Sequence, residues 1–232
     1  MSAIGGVFDM SGSRPHCIGS CSAFGSASKF VTAAHVVAGR NQNHLAVNHF
    51  GHQTQQFSPI KNILVNEQLD SALLDVVVEE PKWIEPFTGT TGAVGYGSTI
   101  VSIGWPMDLL APDANLETLR CFRGYIQRAF FYTHPGHKPY SAYELSFAAP
   151  PGLSGAPVFL ANDPKTLIGI VTENFSTHSL IEATEEVDDM SGSIKRIEYR
   201  TVITYGVAVN AWYVWHSFEN QLSGVSLSVM RE

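Results

Sequence analysis

Apolar and polar positions along this chain come in short bursts. β-Branched and aromatic runs separated by glycine or polar residues cover Phe30 to Val37, Leu45 to Phe50, Ile60 to Val65 and Ala72 to Val78. A second series covers Thr99 to Gly104, Leu119 to Gln127, Ser141 to Phe147, Ala156 to Leu160, Leu167 to Thr172 and Tyr199 to Val209. Runs this short and this closely spaced predict the strands of a sandwich or barrel. Between the series lies the uncharged, glycine-rich stretch Phe87-Thr-Gly-Thr-Thr-Gly-Ala-Val-Gly-Tyr-Gly97. It predicts a first β unit over 1–88, a connector over 89–98 and a second β unit over 99–232. One helix is expected, near the end. Asn210 suits a helix start, and Trp212, Trp215, Phe218, Glu219 and Leu222 follow near a helical period, four of the five apolar. Its expected role is packing against a barrel.

Composition narrows the picture. Of 232 residues 44% are hydrophobic and only 15% charged, which is enough apolar material for a sizeable core and excludes wholesale disorder. Twenty Gly and twelve Pro fit a turn-rich β protein. A formal charge of −7 gives no support to nucleic-acid binding. No apolar run is long enough to span a membrane as a helix, and the opening ten residues lack a basic region followed by an apolar one. With three cysteines, an odd number, a disulfide scaffold is not expected, and a reducing cytoplasmic or intracellular setting is.

Three segments carry candidate chemistry. Phe30-Val-Thr-Ala-Ala-His35 is a β-rich run ending in a histidine. Leu69-Asp70-Ser-Ala-Leu-Leu-Asp75 places aspartates at the head of, and inside, a buried-looking strand. Pro150-Pro-Gly152-Leu-Ser154-Gly155-Ala-Pro157 holds a serine between glycines on a tight turn. A serine hydroxyl is a poor nucleophile near neutral pH and needs a base; histidine titrates close enough to serve. A carboxylate on the far ring nitrogen fixes the tautomer and stabilises the imidazolium, the logic of the well-known Ser-His-Asp template. Gly152 has no Cβ to obstruct the turn, so the amides of Gly152 and Ser154, with Leu153 as a further donor, can converge on a developing oxyanion.

In the order T-A-A-H, D-x-A-x-L, G-x-S-G-x-P these motifs resemble the trypsin-like serine proteases of the chymotrypsin fold, in the compact form of HtrA protease domains. The order His, Asp, Ser itself separates this family from the subtilisin-like and esterase folds. Gly19 to Phe24, Val101 to Pro106, Arg123 to Gln127, Leu167 to Thr172 and Tyr205 to Val209 also look like strands of that family, so the resemblance runs from about Gly19 to Leu222. It implies an all-β protein of two six-stranded antiparallel barrels with a C-terminal helix, acting as a serine endopeptidase on protein or peptide substrates without cofactor or metal. It implies His35 as base, Ser154 as nucleophile and Asp70 as the orienting acid, with Asp75 the alternative. It implies a substrate pocket with Ala148 and Ala149 at its floor and Thr172 and Glu173 on its wall. A catalytically silent relative that binds peptides or partners through the same cleft is the second reading.

The match has departures. Leu153 stands where digestive members carry an aspartate that pairs with a processed amino terminus, so that activation switch is not expected. Ala148 stands where trypsin keeps its pocket aspartate, so cleavage after Arg or Lys is not expected. Other groupings rank lower. His16 with Cys17 and Cys21 lacks a second ligand pair at zinc-finger spacing, so small buried thiols are expected. His44, His49, His52, His134 and His137 read as edge or loop residues. The stretch Glu173 to Arg200, with five carboxylates between Glu182 and Asp189, reads as a solvated loop joining two strands at the pocket; a preference for basic substrates or a calcium site is a lesser reading.

Overall fold

The computed structural model describes residues 3–50, 55–79, 81–91, 94–106, 119–133, 139–187, 194–222 and 228–230. Its first six strands are β1 (Ile4–Asp9), β2 (His16–Ala23), β3 (Lys29–Ala33), β4 (Leu45–Phe50), β5 (Gln55–Asn66) and β6 (Ser71–Val76). They close into an antiparallel barrel in the order β1-β2-β3-β6-β5-β4. Closure leaves no open edge and turns Phe30, Val31, Val47, Ile60, Ala72 and Leu74 into one buried core. β1 has no counterpart in the expected strands. Its Gly5-Gly6 pair lowers strand propensity, but a Cβ at Gly5 would press on the Asn48 carbonyl at 2.9 Å, so the neighbouring strand needs that bareness.

The second unit is built from β8 (Thr99–Gly104), β9 (Arg120–Tyr132), β10 (Tyr140–Leu145), β11 (Pro157–Leu160), β12 (Asp163–Val187) and β13 (Ile194–Asn210). They run in the order β11-β8-β9-β10-β13-β12, and a further β11–β12 pairing brings the sheet round on itself as a second, barrel-like unit. Ile100, Ile126, Tyr143, Leu145, Val158, Ile168 and Ala208 fill it. The expected connector is not all loop: β7 (Gly89–Thr91) lies within it, parallel to β12 and to β14 (Ser228–Met230).

Two expectations change. Within the polar stretch Glu173 to Arg200, residues 173–187 and 194–200 form a ladder rather than a loop, paired from Gly169↔Asn210 out to Val187↔Ile194. Thr177, Ile181, Thr184 and Val187 on one strand and Ile194, Ile197 and Tyr199 on the other favour strand there, and the register sets Glu185 opposite Arg196 and Glu186 opposite Lys195. The carboxylate side chains Glu182 to Asp189, like His52, His134 and His137, lie outside the described residues. The terminal helix α2 (Ala211–Ser217) is shorter than its apolar pattern. Asn210 caps it through the Trp212 amide at 2.9 Å, but the chain leaves helical geometry at Phe218 and reaches Leu222 through turns. Phe218 and Leu222 are nonetheless buried, as the pattern required. Trp215 meets Phe24 of the first barrel edge-on at 5.4 Å, joining the two units.

Candidate active site

His35 does not end a strand. β3 stops at Ala33, and Ala34–Val37 make a single helical turn, α1, with the His35 side chain half-exposed. The turn has no side-chain cap of its own. Asp70 supplies one from the head of the neighbouring strand β6: its backbone carbonyl accepts the Ala34 amide at 3.0 Å, and its Oδ1 accepts the His35 amide at 2.9 Å. The second oxygen, Oδ2, lies 2.7 Å from His35 Nδ1. One carboxylate thereby satisfies a helix-start donor and orients the ring that the helix carries.

Asp70 is held in a conformation that fits this task. Its φ of 43° makes it the one non-glycine residue in the left-handed region among those described. Aspartate tolerates that region better than most residues, and strain of this kind collects at functional sites. The side chain is only 10% exposed. Asp75, the alternative acid, instead faces Lys29 across the β3–β6 pair, 3.2 Å from its ammonium. The bond to Asp70 raises the His35 pKa above its ordinary 6.5; burial opposes this, while the charges of Asp70 and Glu173 add to it.

Ser154 arrives on a loop held by peptide groups. Pro150-Pro151-Gly152-Leu153 forms a type II turn: the ring of Pro151 presets φ at the second position, Gly152 has φ 86°, and the Leu153 amide donates to the Pro150 carbonyl at 3.0 Å. That bond corrects one expectation. The Leu153 amide closes the turn and is not a third oxyanion donor, while its side chain is fully buried in the second core and anchors the loop. Among the described residues no acceptor takes the amide of Gly152 or Ser154.

The loop is seated against the first barrel. The Ser154 carbonyl accepts the Ser20 amide at 2.8 Å, and the Gly155 amide donates to Val171 at 2.7 Å. Gly155 has φ 86°, and a Cβ there would overlap the Ser20 carbonyl and the Thr32 hydroxyl and stand 3.1 Å from the Ala33 amide. Gly19 lies between the two halves: a Cβ on it would strike Val36, the residue after His35, at 2.7 Å and the Ser154 carbonyl at 3.1 Å. The Ser154 loop and the His35 turn therefore share one seam. Among the described residues the imidazole is hydrogen-bonded through Nδ1 alone, and no hydrogen bond joins Nε2 to the Ser154 hydroxyl.

The expected pocket residues divide. Ala149 is buried, and the Asn174 side chain clamps its backbone, accepting from the amide at 2.7 Å and donating to the carbonyl at 2.6 Å. Ala148 is exposed. Thr172 is buried, with its hydroxyl 3.4 Å from the Val207 carbonyl. Glu173 accepts a 2.7 Å bond from the Tyr132 hydroxyl, whose pKa is pushed up to about 12, first by burial and then by that carboxylate. Ser20, Thr32 and Asn174 carried no assigned role in the sequence, although Thr32 opens T-A-A-H and Ser20 lies in the run Gly19 to Phe24. Polar residues on β-rich segments give no signal of their own; their roles arise from what the fold sets opposite them. Cys17 and Cys21 are free thiols, raised by burial, Cys17 to about 11.

Residues 19–170 match the family model described as trypsin-like peptidase domain. No curated protein matches this chain in sequence. Among solved structures, the MamO protease domain from Magnetospirillum magneticum superposes with a TM-score of 0.64 at 15% identity, covering 93% of this chain and 95% of that one. The active form of the Rv3671c protease from M. tuberculosis gives 0.59 at 16% identity, over 98% and 82%. The HtrA-type protease AlgW, solved with a tripeptide, gives 0.62 at 16% identity over 96% of this chain, which spans 60% of AlgW.

Proposed function

This chain belongs to the trypsin-like peptidase family, and from that premise we propose that it is a serine endopeptidase working through His35, Asp70 and Ser154. The observation that carries the reading is the double grip of Asp70 on the His35 amide and ring, at the seam where the Ser154 loop is seated. With Nδ1–H bound to the carboxylate, Nε2 is the basic nitrogen. Ser154 Oγ attacks the scissile carbonyl carbon while its proton passes to Nε2. The amides of Gly152 and Ser154 stabilise the oxyanion. As the C–N bond breaks, Nε2 returns the proton to the departing amine, leaving an acyl ester on Ser154. Water then attacks the ester, His35 takes its proton, and the serine is restored. Substrates are polypeptides lying along Ala149 and the Thr172–Asn174 strand.

A fluorophosphonate probe tests this directly. The wild-type chain is expected to be labelled once, and Ser154→Ala not at all; equal labelling of the two would place the nucleophile elsewhere. A second reading, a silent relative that binds peptides in the same cleft, is favoured by the missing bond between Ser154 and His35. Hydrogen bonds of this kind are often long in unliganded enzymes and tighten with substrate. A wild-type chain that binds peptide but resists the probe would select it.

A further inference from the structure

Ser20 is a fully buried polar residue on β2 of the first barrel, and all of its groups are engaged. Its amide donates to the Ser154 carbonyl at 2.8 Å, and its own carbonyl accepts from the Thr32 hydroxyl at 2.7 Å. Its hydroxyl donates to the Gly152 carbonyl at 2.8 Å and accepts from the Trp105 amide at 2.9 Å. One side-chain oxygen thus ties together a strand of the first barrel, the chain leaving β8 of the second, and the turn that precedes the nucleophile. Gly104 leaves the room for it, since a Cβ there would collide with the Ser20 hydroxyl.

The position of these bonds matters more than their number. Among the described residues neither the Gly152 nor the Ser154 amide has an acceptor; the Ser154 plane is held at its other end, where the Leu153 carbonyl accepts the Ala156 amide at 2.9 Å, while no backbone bond holds the Pro151–Gly152 plane. The neighbouring planes also bear on where these amides point. The plane joining Gly152 to Leu153 is held at its N–H by Pro150 and at its carbonyl by Ser20. The plane joining Ser154 to Gly155 is held at its N–H by Val171 and at its carbonyl, again, by Ser20. Gly152 is the weak point, because without a Cβ it rotates at little cost between positive and negative φ. The Pro150–Leu153 bond alone does not set the Pro151–Gly152 plane, which carries the Gly152 amide, since type I and type II turns both make it.

We infer that the Ser20 hydroxyl is a positioning group for the reaction proposed above: from the opposite barrel it holds the Gly152 carbonyl, and so fixes the place of the residue whose amide serves the oxyanion. Docking of the two barrels and assembly of the oxyanion site are then one event, because the same oxygen also binds Trp105. The inference rests on the serine-peptidase reading and adds to it a residue that touches neither substrate nor reacting atoms.

The test is Ser20→Ala, read by fluorophosphonate labelling, by kcat and KM on a peptide substrate, and by thermal unfolding. Misaiming one donor is expected to slow labelling and kcat by about 10- to 100-fold, short of the loss of a donor outright, with KM within about twofold of wild type. Ser20→Cys, similar in shape with a weak S–H donor, is expected between the two and serves if the alanine variant does not fold. Wild-type labelling and kcat in a folded Ser20→Ala chain would overturn the inference. So would a fall in rate that merely tracks the unfolded fraction, or one that appears as KM. Failure of the underlying reading looks different: there the wild-type chain itself resists the probe, and the inference falls with it.

Discussion

The two halves of the candidate site are held by different means. On the first barrel, side chains do the holding: one carboxylate caps the α1 turn and orients the ring upon it. On the second, what is held is backbone: peptide groups of the Ser154 loop bond to Pro150, Val171 and Ser20, the Ser20 hydroxyl being the one side chain among these partners, and glycines admit close approach. A side-chain clamp fails when its one residue is replaced. A backbone clamp tolerates most substitutions and fails where a Cβ enters a space that must stay empty.

The sharpest way to break the comparison is at Asp70. Asp70→Asn keeps the shape but favours the wrong ring tautomer, and kcat/KM is expected to fall by about 10³- to 10⁴-fold. Unchanged turnover would mean that the carboxylate is structural only. On the backbone side, Gly155→Ala is expected to cost more in folding than in ring chemistry. Its Cβ has no room against β2 and β3, and a positive φ adds strain, so a drop in unfolding temperature should accompany at least a tenfold loss of kcat, on the order of the cost of misplaced catalytic groups. An alanine variant as stable as wild type would contradict the tight seam.

The pH profile sharpens the contrast. A base works unprotonated, and the His35 pKa is raised, so the acid limb of kcat/KM should lie above the ordinary 6.5. The linkage to stability has the opposite sense. Stabilisation from the His35–Asp70 pair is present in full below the ordinary histidine value and fades as pH climbs through the raised one. Glu173→Gln removes the smallest of the raising influences, so the limb should move slightly toward lower pH. A limb that stays in place would show that Glu173 lies too far from the ring to be felt. Smallest of all is Asp75→Asn, which loosens a half-exposed pair with Lys29. It is expected to change stability by at most about 1 kcal/mol and turnover less than twofold. A large loss of turnover would return Asp75 to candidacy.

Much of this was legible in the chain, because strands announce themselves locally. The bursts of β-branched and aromatic residues mark most strands of both units, and β8 spans the run Thr99 to Gly104. The turn before Ser154 was legible for the same reason, since Pro-Pro-Gly is compatible with few backbone paths. Misreadings came where local preference and outcome diverge. Val36 and Val37 read as strand, yet they are helical because a carboxylate 35 positions from His35 caps their turn. The acidic stretch after Glu173 read as loop, yet through Val187 its backbone pairs in register with the strand that returns from Ile194.

The residue types, their order and the turn chemistry were fixed by sequence alone: a histidine after a buried run, aspartates at and beyond a strand head, a serine between two glycines. Which aspartate meets the histidine was not. Asp70 and Asp75 are equivalent as chemical groups, and only closure of the first barrel aims one at the imidazole and the other at Lys29. The part of Ser20 was likewise invisible, because a hydroxyl acquires a role only when two distant backbones are brought within 3 Å of it. Propensity and turn geometry act over a few residues and can be read in order along a chain. Hydrogen bonds between elements depend on distance in space, which the packing of the two units decides.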